Sequence, residues 1–376
     1  MNSDIESGFG IYIHFPFCLK KCDYCAFSTW DDRFDLVEPY LQALKLEITS
    51  WSKNMELAPT SIYFGGGTPS LMEAKQISPL LELFDIDKDV EITLECNPET
   101  VSVSKLVDFK NIGINRLSFG VQSFSSHVLT SLGRIHSADN AIKAFGFAKE
   151  AGFENISLDL IYGASGESDQ DWLYSLEKCF ELKPAHLSAY ALTVEPGTAL
   201  SKDPLRYPDD DVQAKRYEVI DELAEKIGMR WYEISNWAFE GYESRHNQIY
   251  WSRKNYLGFG CSAHSYIDGQ RRWNFSSLNK YLEASLYGRS LCCGKEDLTD
   301  KQNRLEVLML GLRTKDGISL SDLFKLFPKL ESIFFNSLDA SLTELLEITQ
   351  KRVRLTLKGR LLANEVINYL SSFESV

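Results

Sequence analysis

The sequence contains no run of hydrophobic residues long enough to cross a membrane. No stretch reaches about 18 consecutive apolar residues, the length expected of a transmembrane helix. The segment from Met1 to Gly8 is polar and acidic, and it lacks the basic start and apolar middle of a secretory signal. These absences predict a cytoplasmic protein, whose eight cysteines are expected to be thiols or metal ligands and not disulfides.

Positive charge is also scarce. The chain has 40 Lys and Arg against 53 Asp and Glu, a net charge of −13. Because binding to a phosphate backbone needs clustered positive charge, we expect no nucleic-acid partner. The 376 residues, with 44% hydrophobic and 25% charged residues, have the composition of an ordinary globular protein with a large core, which excludes general disorder.

Short apolar runs alternate with longer amphipathic stretches from residue 10 to about residue 230. The runs typical of strands cover residues 11–15, 61–64, 91–96, 115–120, 155–162 and 186–193. Helical patterns between them include residues 36–51, 138–151 and 169–182. This alternation predicts βα units and a parallel sheet, hence an α/β fold. Six strands fit a partial barrel as well as a doubly wound sheet, and in both folds ligands bind at the carboxyl ends of the strands.

The regular alternation weakens after about residue 196, which predicts a division of the chain into three parts. We expect a core barrel over residues 1–240 and a connecting region over residues 241–297. The helical pattern returns at about residue 298 and ends in a predicted helix over residues 358–371. Residues 298–376 are therefore expected to form a small, mostly helical C-terminal domain.

Three cysteines lie close together directly after the first predicted strand, in the pattern Cys18-x3-Cys22-x2-Cys25. Three thiolates can bind three irons of a [4Fe–4S] cluster and leave the fourth iron open to another ligand. The alternative is a zinc site, which requires a fourth ligand such as His14. Because His14 lies inside the predicted strand, it is poorly placed to complete a tetrahedral zinc site with the three cysteines. We therefore expect an iron–sulfur cluster.

The cysteine motif resembles that of the radical S-adenosylmethionine (SAM) superfamily. Further motifs resemble its coproporphyrinogen-dehydrogenase-like branch of porphyrin biosynthesis and, within it, the HemW-type haem chaperones. These motifs are YIHFPFC at 12–18, GGGTPS at 65–70, NRLSFGVQ at 115–122, LGR at 132–134, DLIYG at 159–163 and HNxxYW at 246–251. The resemblance implies a partial (β/α)6 TIM-like barrel with a [4Fe–4S] cluster on Cys18, Cys22 and Cys25, and with bound SAM.

The resemblance also implies a set of SAM-contacting residues near the carboxyl ends of the strands. The set comprises Tyr12, Tyr24, Gly66, Gly67, Thr68, Glu95, Gln122, Arg134 and Asp159. The tyrosines would line the adenosine pocket, the glycine turn would meet the amino-acid end, and Arg134 would pair with the SAM carboxylate. Each also has a purely structural interpretation: the glycines as a tight turn, Glu95 and Asp159 as strand-end caps, Arg134 as a surface charge.

A motif near residue 246 is the candidate for haem binding. It consists of His246, Asn247, Tyr250 and Trp251, with Arg253 close by. A histidine can be an axial haem ligand, aromatic faces can pack on the macrocycle, and arginines can pair with its propionates. The alternative is a structural loop whose His caps the barrel and whose Tyr and Trp fill a core. The family resemblance implies that the loop takes part in haem binding, but it does not identify His246 as the ligand.

Three functions are compatible with these patterns. The first is a haem chaperone that binds haem, a cluster and SAM, transfers haem to an acceptor haem protein of the respiratory chain, and is compatible with a homodimer. The second is an oxygen-independent coproporphyrinogen III dehydrogenase, which decarboxylates propionate side chains by radical chemistry. Members with that activity carry a fourth cysteine where this chain has Phe27, so we favour a chaperone over an enzyme. The third is a zinc-stabilised binding module without SAM.

Overall fold

Six parallel strands with intervening helices form the first half of the fold. The computed structural model describes residues 9–337 and 340–373. The elements are β1 (Gly10–Phe15), α1 (Val37–Ser52), β2 (Ser61–Gly66), α2 (Ala74–Leu81), β3 (Glu91–Cys96), α3 (Val103–Asn111), β4 (Arg116–Gln122), α4 (Ser126–Ser131), α5 (Ala138–Glu150), β5 (Asn155–Tyr162), α6 (Asp169–Leu182) and β6 (His186–Ala191). The six predicted strands are confirmed. They pair in sequential order, as in a barrel and unlike a doubly wound sheet, whose order reverses at a switch point.

The alternation of side chains along these strands separates the hydrophobic core from a polar interior. In β5, Ile156, Leu158 and Leu160 are fully buried in the main core, which lies between the sheet and its helices. Ser157 and Asp159 alternate with them and therefore lie on the other face of the strand. The inner face of the curved sheet thus carries the polar residues that the strand pattern places there.

Hydroxyl caps set the starts of the helices that cover the sheet. Ser168 accepts a hydrogen bond from the Asp171 amide at 3.1 Å, and the Asp171 carboxylate accepts one from the Ser168 amide at 2.9 Å. Ser137 and Asn140 form the same reciprocal cap at the start of α5. Such capping boxes satisfy amides that have no partner within the helix, so they fix where the chain leaves the strand-to-helix loop.

Further strands extend this sheet at both ends. They and their helices are α7 (Asp210–Lys226), β7 (Arg230–Glu233), β8 (Asn236–Ala238), α8 (Arg245–Trp251), β9 (Tyr256–Phe259), β10 (His264–Ile267), β11 (Gln270–Asn274), α9 (Leu278–Leu286) and β12 (Cys292–Asp297). In the described residues the order is β12-β11-β10-β9-β1-β2-β3-β4-β5-β6-β8-β7. β9 is parallel to β1, and β12 is an edge strand on which Cys292 and Cys293 are exposed. The boundary at residue 240 remains a prediction, since strands on both of its sides join one sheet.

The C-terminal region is mostly helical, as predicted, and has its own hydrophobic core. Its elements are α10 (Asp300–Leu312), β13 (Ile318–Ser319), α11 (Leu320–Leu326), α12 (Pro328–Ser337), α13 (Ala340–Leu345), β14 (Leu346–Ile348), β15 (Arg352–Leu355), α14 (Leu357–Leu361) and α15 (Ala363–Ser371). Its buried residues form a cluster separate from the core of the large sheet. The predicted final helix is interrupted at Leu362. None of the helices in the described parts of the chain has the length and apolar character needed to cross a bilayer.

Candidate functional site

The three motif cysteines lie in a loop that follows β1 and is closed at its base by main-chain hydrogen bonds. The Cys18 amide donates to the Trp30 carbonyl at 3.0 Å, and the Trp30 amide donates to the Pro16 carbonyl at 2.8 Å. Cys18 is buried, whereas Cys22 and Cys25 are half-buried. The loop therefore carries all three thiols at the carboxyl end of the first strand, where the strand pattern predicted a ligand site.

The pKa of Cys18 depends on its burial and on the two neighbouring thiols. The pKa of Cys18 is raised to about 11, chiefly by burial; the Thr68 hydroxyl opposes this rise, and the neighbouring Cys25 and Cys22 thiols add to it. A thiol must lose its proton to bind a metal, so metal binding at Cys18 has to release that proton. The cluster site is therefore expected to assemble more readily as pH rises.

The described residues around the cysteine loop do not form a site for a single metal ion. In the described residues, no three His, Cys, Asp or Glu side chains are gathered closely enough to enclose one metal ion. Both ring nitrogens of His14 are engaged, Nδ1 with the Tyr12 hydroxyl and Nε2 with the Ser28 carbonyl, each at 3.0 Å. On a cubane each thiolate binds a different iron, so the sulfur atoms lie further apart than around one zinc. Three thiols in one loop are the ligand number of a [4Fe–4S] cluster with one open iron, and His14, engaged at both ring nitrogens, does not complete a zinc site.

The glycine turn after β2 packs directly against the end of β1. Gly66 has a φ of +109°, and a Cβ added there would lie 2.3 Å from the His14 ring. A Cβ on Gly67 would lie 2.7 Å from the carbonyl oxygens of Phe15 and Phe17. Only glycine permits this conformation and this close approach. The turn is therefore a tight structural turn that also brings its backbone next to the cysteine loop. Its contact with SAM remains a prediction.

Arg134 connects the cysteine loop to the ends of β3 and β4. Its guanidinium donates to the Cys22 sulfur at 3.4 Å, to Asn97 Oδ1 at 2.8 Å and to the Gly120 carbonyl at 2.9 Å. Asn97 also donates to the Thr68 hydroxyl at 3.1 Å. Arg134 is thus a half-buried cation held by three hydrogen bonds, and not a free surface charge. Sequence reasoning missed Asn97, although it follows β3 directly and the strand-end rule that selected Glu95 would have included it.

Glu95 is held on the inner face of the sheet by two hydrogen bonds. It accepts from the Tyr63 hydroxyl at 2.8 Å and from the Gly66 amide at 3.0 Å. Burial raises the pKa of Glu95 to about 7, and these hydrogen bonds only partly oppose that rise. Tyr12 lies next to Tyr63, with ring centroids 6.2 Å apart. Tyr63 is a second residue that sequence reasoning missed, because it lies in mid-strand.

The remaining predicted SAM contacts lie along the same inner face and rim. Asp159 accepts from the hydroxyls of Ser118 and Ser157 at about 3 Å. Gln122 is buried and has a φ of +68°, a left-handed conformation that is uncommon for a side-chain-bearing residue and is concentrated at functional sites. Tyr24 lies beside Arg134. The structure therefore brings the predicted set into one region, while the role of each residue remains a prediction.

The HNxxYW motif lies at the opposite end of the strands. His246 is 1% exposed, and its ring nitrogens bind the Ser61 hydroxyl at 2.8 Å and the Tyr250 hydroxyl at 2.7 Å. Glu91 accepts from the His246 amide at 3.1 Å. Ser61 and Glu91 are the first residues of β2 and β3. Ser61 and Gly66 lie at opposite ends of β2, roughly 17 Å apart at about 3.3 Å per residue. The His246 ring nevertheless stacks on Tyr63 in mid-strand, with ring centroids 5.1 Å apart, and Tyr63 donates to Glu95. In this fold α8 closes the amino end of the barrel, and His246 has no free ring nitrogen.

Comparisons with known proteins agree with this architecture. Residues 12–179 match the radical SAM superfamily, and residues 298–362 match the HemN C-terminal domain. Among solved structures, coproporphyrinogen III oxidase (HemN) from Escherichia coli has a TM-score of 0.83 over 98% of this chain and 91% of that chain, at 22% identity. At that identity the likeness establishes the fold, a radical SAM barrel with a HemN-like C-terminal region.

Membership of the radical SAM superfamily implies a [4Fe–4S] cluster and SAM as cofactors. The residues of this chain fit both groups. Three thiols share one loop and would leave one iron of the cluster open, and the half-buried Arg134 guanidinium next to Cys22 suits a carboxylate.

Relatives of known description match the chain over most of its length. The heme chaperone HemW of Mycobacterium tuberculosis is 38% identical over 377 residues, which is 96% of this chain and 94% of that protein. The heme chaperone HemW of Bacillus subtilis is 35% identical over 94% of this chain and 97% of that protein. That of Escherichia coli is 37% identical over 68% of this chain and 70% of that protein. The chain therefore belongs to the HemW family of haem chaperones, within the radical SAM superfamily.

Proposed function

We propose that this protein binds haem and passes it to an acceptor apoprotein. The observation that carries the proposal is the likeness to heme chaperones named HemW across both the radical SAM and the HemN C-terminal regions. Phe27 supports it independently. This residue stands where the dehydrogenase-type members have a fourth cysteine, and it is 62% exposed next to the cysteine loop.

Different residues at the carboxyl end of the barrel would bind the cluster and SAM. Cys18, Cys22 and Cys25 would hold the cluster, which when bound supplies one-electron chemistry. Arg134 would pair its planar fork with the SAM carboxylate. Glu95 would accept hydrogen bonds from ribose hydroxyls, and it would exchange one of its present donors to do so. These groups would bind and orient the cofactor, and Tyr63 connects Glu95 to His246 of the HNxxYW motif.

The second candidate is the oxygen-independent dehydrogenation of coproporphyrinogen III. The specific observation in its favour is that the whole chain shares the fold of E. coli HemN. Identity of 22% supports only the fold, and the position of the fourth cysteine is occupied by Phe27. We therefore rank haem transfer first.

The finer features of the function are part of the same proposal. We place the protein in the cytoplasm, with a haem enzyme of the respiratory chain as the acceptor and with a homodimer as a possible assembly.

The test compares haem binding with porphyrinogen chemistry on one preparation. The protein is reconstituted anaerobically with iron and sulfide and titrated with haemin, and release is followed by the absorption of apomyoglobin as it takes up haem. A parallel sample receives coproporphyrinogen III, SAM and dithionite. Stoichiometric haemin binding and transfer without decarboxylation supports the proposal. Decarboxylated product with matching 5′-deoxyadenosine would replace it with the dehydrogenase, and absence of haemin binding would refute it.

A further inference from the structure

Tyr63 contacts groups that belong to opposite ends of the barrel. Its hydroxyl donates to Glu95 Oε1 at 2.8 Å, at the end where SAM is expected. Its ring stacks on the ring of His246 in the HNxxYW motif, with centroids 5.1 Å apart and the two planes inclined by 26°. One side chain therefore contacts a predicted SAM-binding residue and a haem-binding candidate at the same time.

The hydrogen bond from Tyr63 to Glu95 is the contact that SAM would change. Glu95 also accepts from the Gly66 amide at 3.0 Å. That amide belongs to a backbone fixed by a φ of +109° and by close packing against the His14 ring, so it cannot turn away from Glu95. The Tyr63 hydroxyl is on a side chain, and it is the donor that Glu95 can exchange for a ribose hydroxyl.

Tyr63 lies in one row with Thr93 and Arg116 across three strands. Tyr63 is opposite Thr93 in the pairing of β2 with β3, and Thr93 is opposite Arg116 in the pairing of β3 with β4. All three alternate along their strands with residues of the hydrophobic core, so they lie on the inner face of the sheet. Neighbouring strands are about 4.8 Å apart, and the long side chains of Tyr63 and Arg116 can bridge the two intervals between them.

The two neighbours of Tyr63 in this row lack hydrogen-bond partners. Thr93 is 0% exposed and Arg116 is 2% exposed, and neither Thr93 Oγ1 nor Arg116 Nε has a partner among the described residues. Buried polar groups are normally hydrogen-bonded. Burial raises the pKa of Tyr63 and the charge of Arg116 opposes that rise, so the guanidinium lies near the hydroxyl. Thr93 and Arg116 thus offer Tyr63 a second set of partners.

We propose that Tyr63 is a positioning residue that couples SAM binding at Glu95 to the HNxxYW motif. The inference rests on the proposed function, because it names what regulates the binding of haem. Without SAM, Tyr63 donates to Glu95 and its ring covers His246. With SAM, Glu95 takes a hydrogen bond from the ribose, and Tyr63 turns to Arg116 and leaves the His246 ring. A tyrosine hydroxyl has one hydrogen to donate, so the two arrangements exclude each other.

Loss of the stack opens a motif that is otherwise closed. His246 is 1% exposed, and its ring nitrogens are engaged by the hydroxyls of Ser61 and Tyr250. The pKa of His246 is lowered to about 3, chiefly by burial and also by the charge of Arg116, so the ring is neutral and is not held by an ion pair. When Tyr63 withdraws, one face of the ring becomes accessible. SAM should therefore raise the affinity for haem, and haem should raise the affinity for SAM by the same factor.

The first test observes His246 in the absence of haem. Reconstituted protein labelled with ¹³C at histidine Cε1 is titrated anaerobically with SAM, and the His246 signal is assigned from a His246→Gln variant. SAM should shift this signal in the wild type. Tyr63→Phe keeps the ring and removes the hydroxyl, so its His246 signal should not respond to SAM. Tyr281→Phe is the matched control, because it removes a buried hydroxyl that donates to Glu47 at 2.7 Å between α1 and α9, and it should respond as the wild type does.

The second test measures the affinity for haemin with and without SAM. In the wild type and in Tyr281→Phe, saturating SAM should tighten haemin binding about fivefold or more. In Tyr63→Phe the two affinities should be equal. A merely structural role of Tyr63 would change both affinities together and leave their ratio as in the wild type. The absorption of the reconstituted cluster should be the same in all three proteins, which shows that the barrel is intact.

The outcomes separate the coupling from the proposed function. A wild type that binds haemin, but whose His246 signal ignores SAM, would overturn the coupling and leave the proposed function standing. A response to SAM that persists in Tyr63→Phe would do the same. A wild type that binds no haemin, but whose His246 signal responds to SAM through Tyr63, would refute the proposed function and leave the coupling in place. A wild type that binds no SAM would overturn the coupling.

Discussion

A buried carboxyl group at the junction of α1 and the sheet extension leads to a quantitative prediction. Glu47 is 5% exposed and accepts from the Tyr281 hydroxyl at 2.7 Å, the Gly260 amide at 2.8 Å and the Asn274 side chain at 2.6 Å. Burial raises the pKa of Glu47 from 4.5 to about 7, with the three hydrogen bonds opposing part of the rise. A raised folded-state pKa contributes stability below the unfolded value, and that contribution is lost as pH rises through the folded value.

The predicted perturbation is Glu47→Gln, which removes the titration. The difference between about 7 and 4.5 corresponds to about 3 kcal/mol in the free energy of unfolding. Between pH 4.5 and pH 8 the wild type should therefore lose about 3 kcal/mol relative to the variant. Urea unfolding of both proteins at several pH values, followed by fluorescence, measures this difference. The same series for Glu38→Gln, an exposed position on α1, should show no such trend.

The reasoning is refuted if the difference between the wild type and Glu47→Gln stays constant over this pH range. Since other buried carboxyl groups are common to both proteins, their titration cancels in the comparison. A constant difference would mean that the three donors hold Glu47 ionised despite its burial.

Three further predictions concern the cofactor end of the barrel. Cys22→Ala should abolish the visible absorption of the reconstituted cluster, because two thiolates do not hold the cube, whereas the buried Cys179→Ala should retain it. Gly66→Ala should lower the free energy of unfolding by about 3 kcal/mol, because the new Cβ adopts a left-handed φ and overlaps the His14 ring. In the same denaturation assay Gly146→Ala should be neutral or stabilising, because a Cβ there meets open space within a helix. Phe27→Cys should leave coproporphyrinogen III unconverted, since the fourth cysteine marks the dehydrogenase group and is no cluster ligand; product formation by this variant would contradict that.

Local patterns were sufficient to predict the parallel half of the fold. Buried strands such as β5 carry apolar residues on the core face and are bounded by turn and cap residues, so strand and helix can be separated by period and length. The short strands β7 to β11 were not predicted, because runs of three to five residues carry too little periodicity. The pairing of β9 with β1 joins residues about 250 positions apart, and no local signal encodes it.

The candidate site was predictable to the extent that it follows the ends of parallel strands. Glu95 and Gln122 follow that rule: Glu95 accepts from the Gly66 amide, and the Gln122 side chain lies beside Gly120, whose carbonyl accepts from Arg134. Tyr63 and the position of His246 do not follow it. Whether a later loop returns to the carboxyl or the amino end of a barrel depends on tertiary contacts, here those of His246 with Ser61 and Glu91.

The exposed thiols of β12 have a practical consequence for studies of assembly. Cys292 and Cys293 lie on the edge strand of the large sheet, where a second molecule can approach without unfolding the first. Accessible thiols form disulfides in air, so purified protein exposed to oxygen is expected to accumulate covalent dimers through this edge. A biological dimer must therefore survive reductant and the Cys292→Ser, Cys293→Ser double substitution, whereas an oxidation artefact disappears with either.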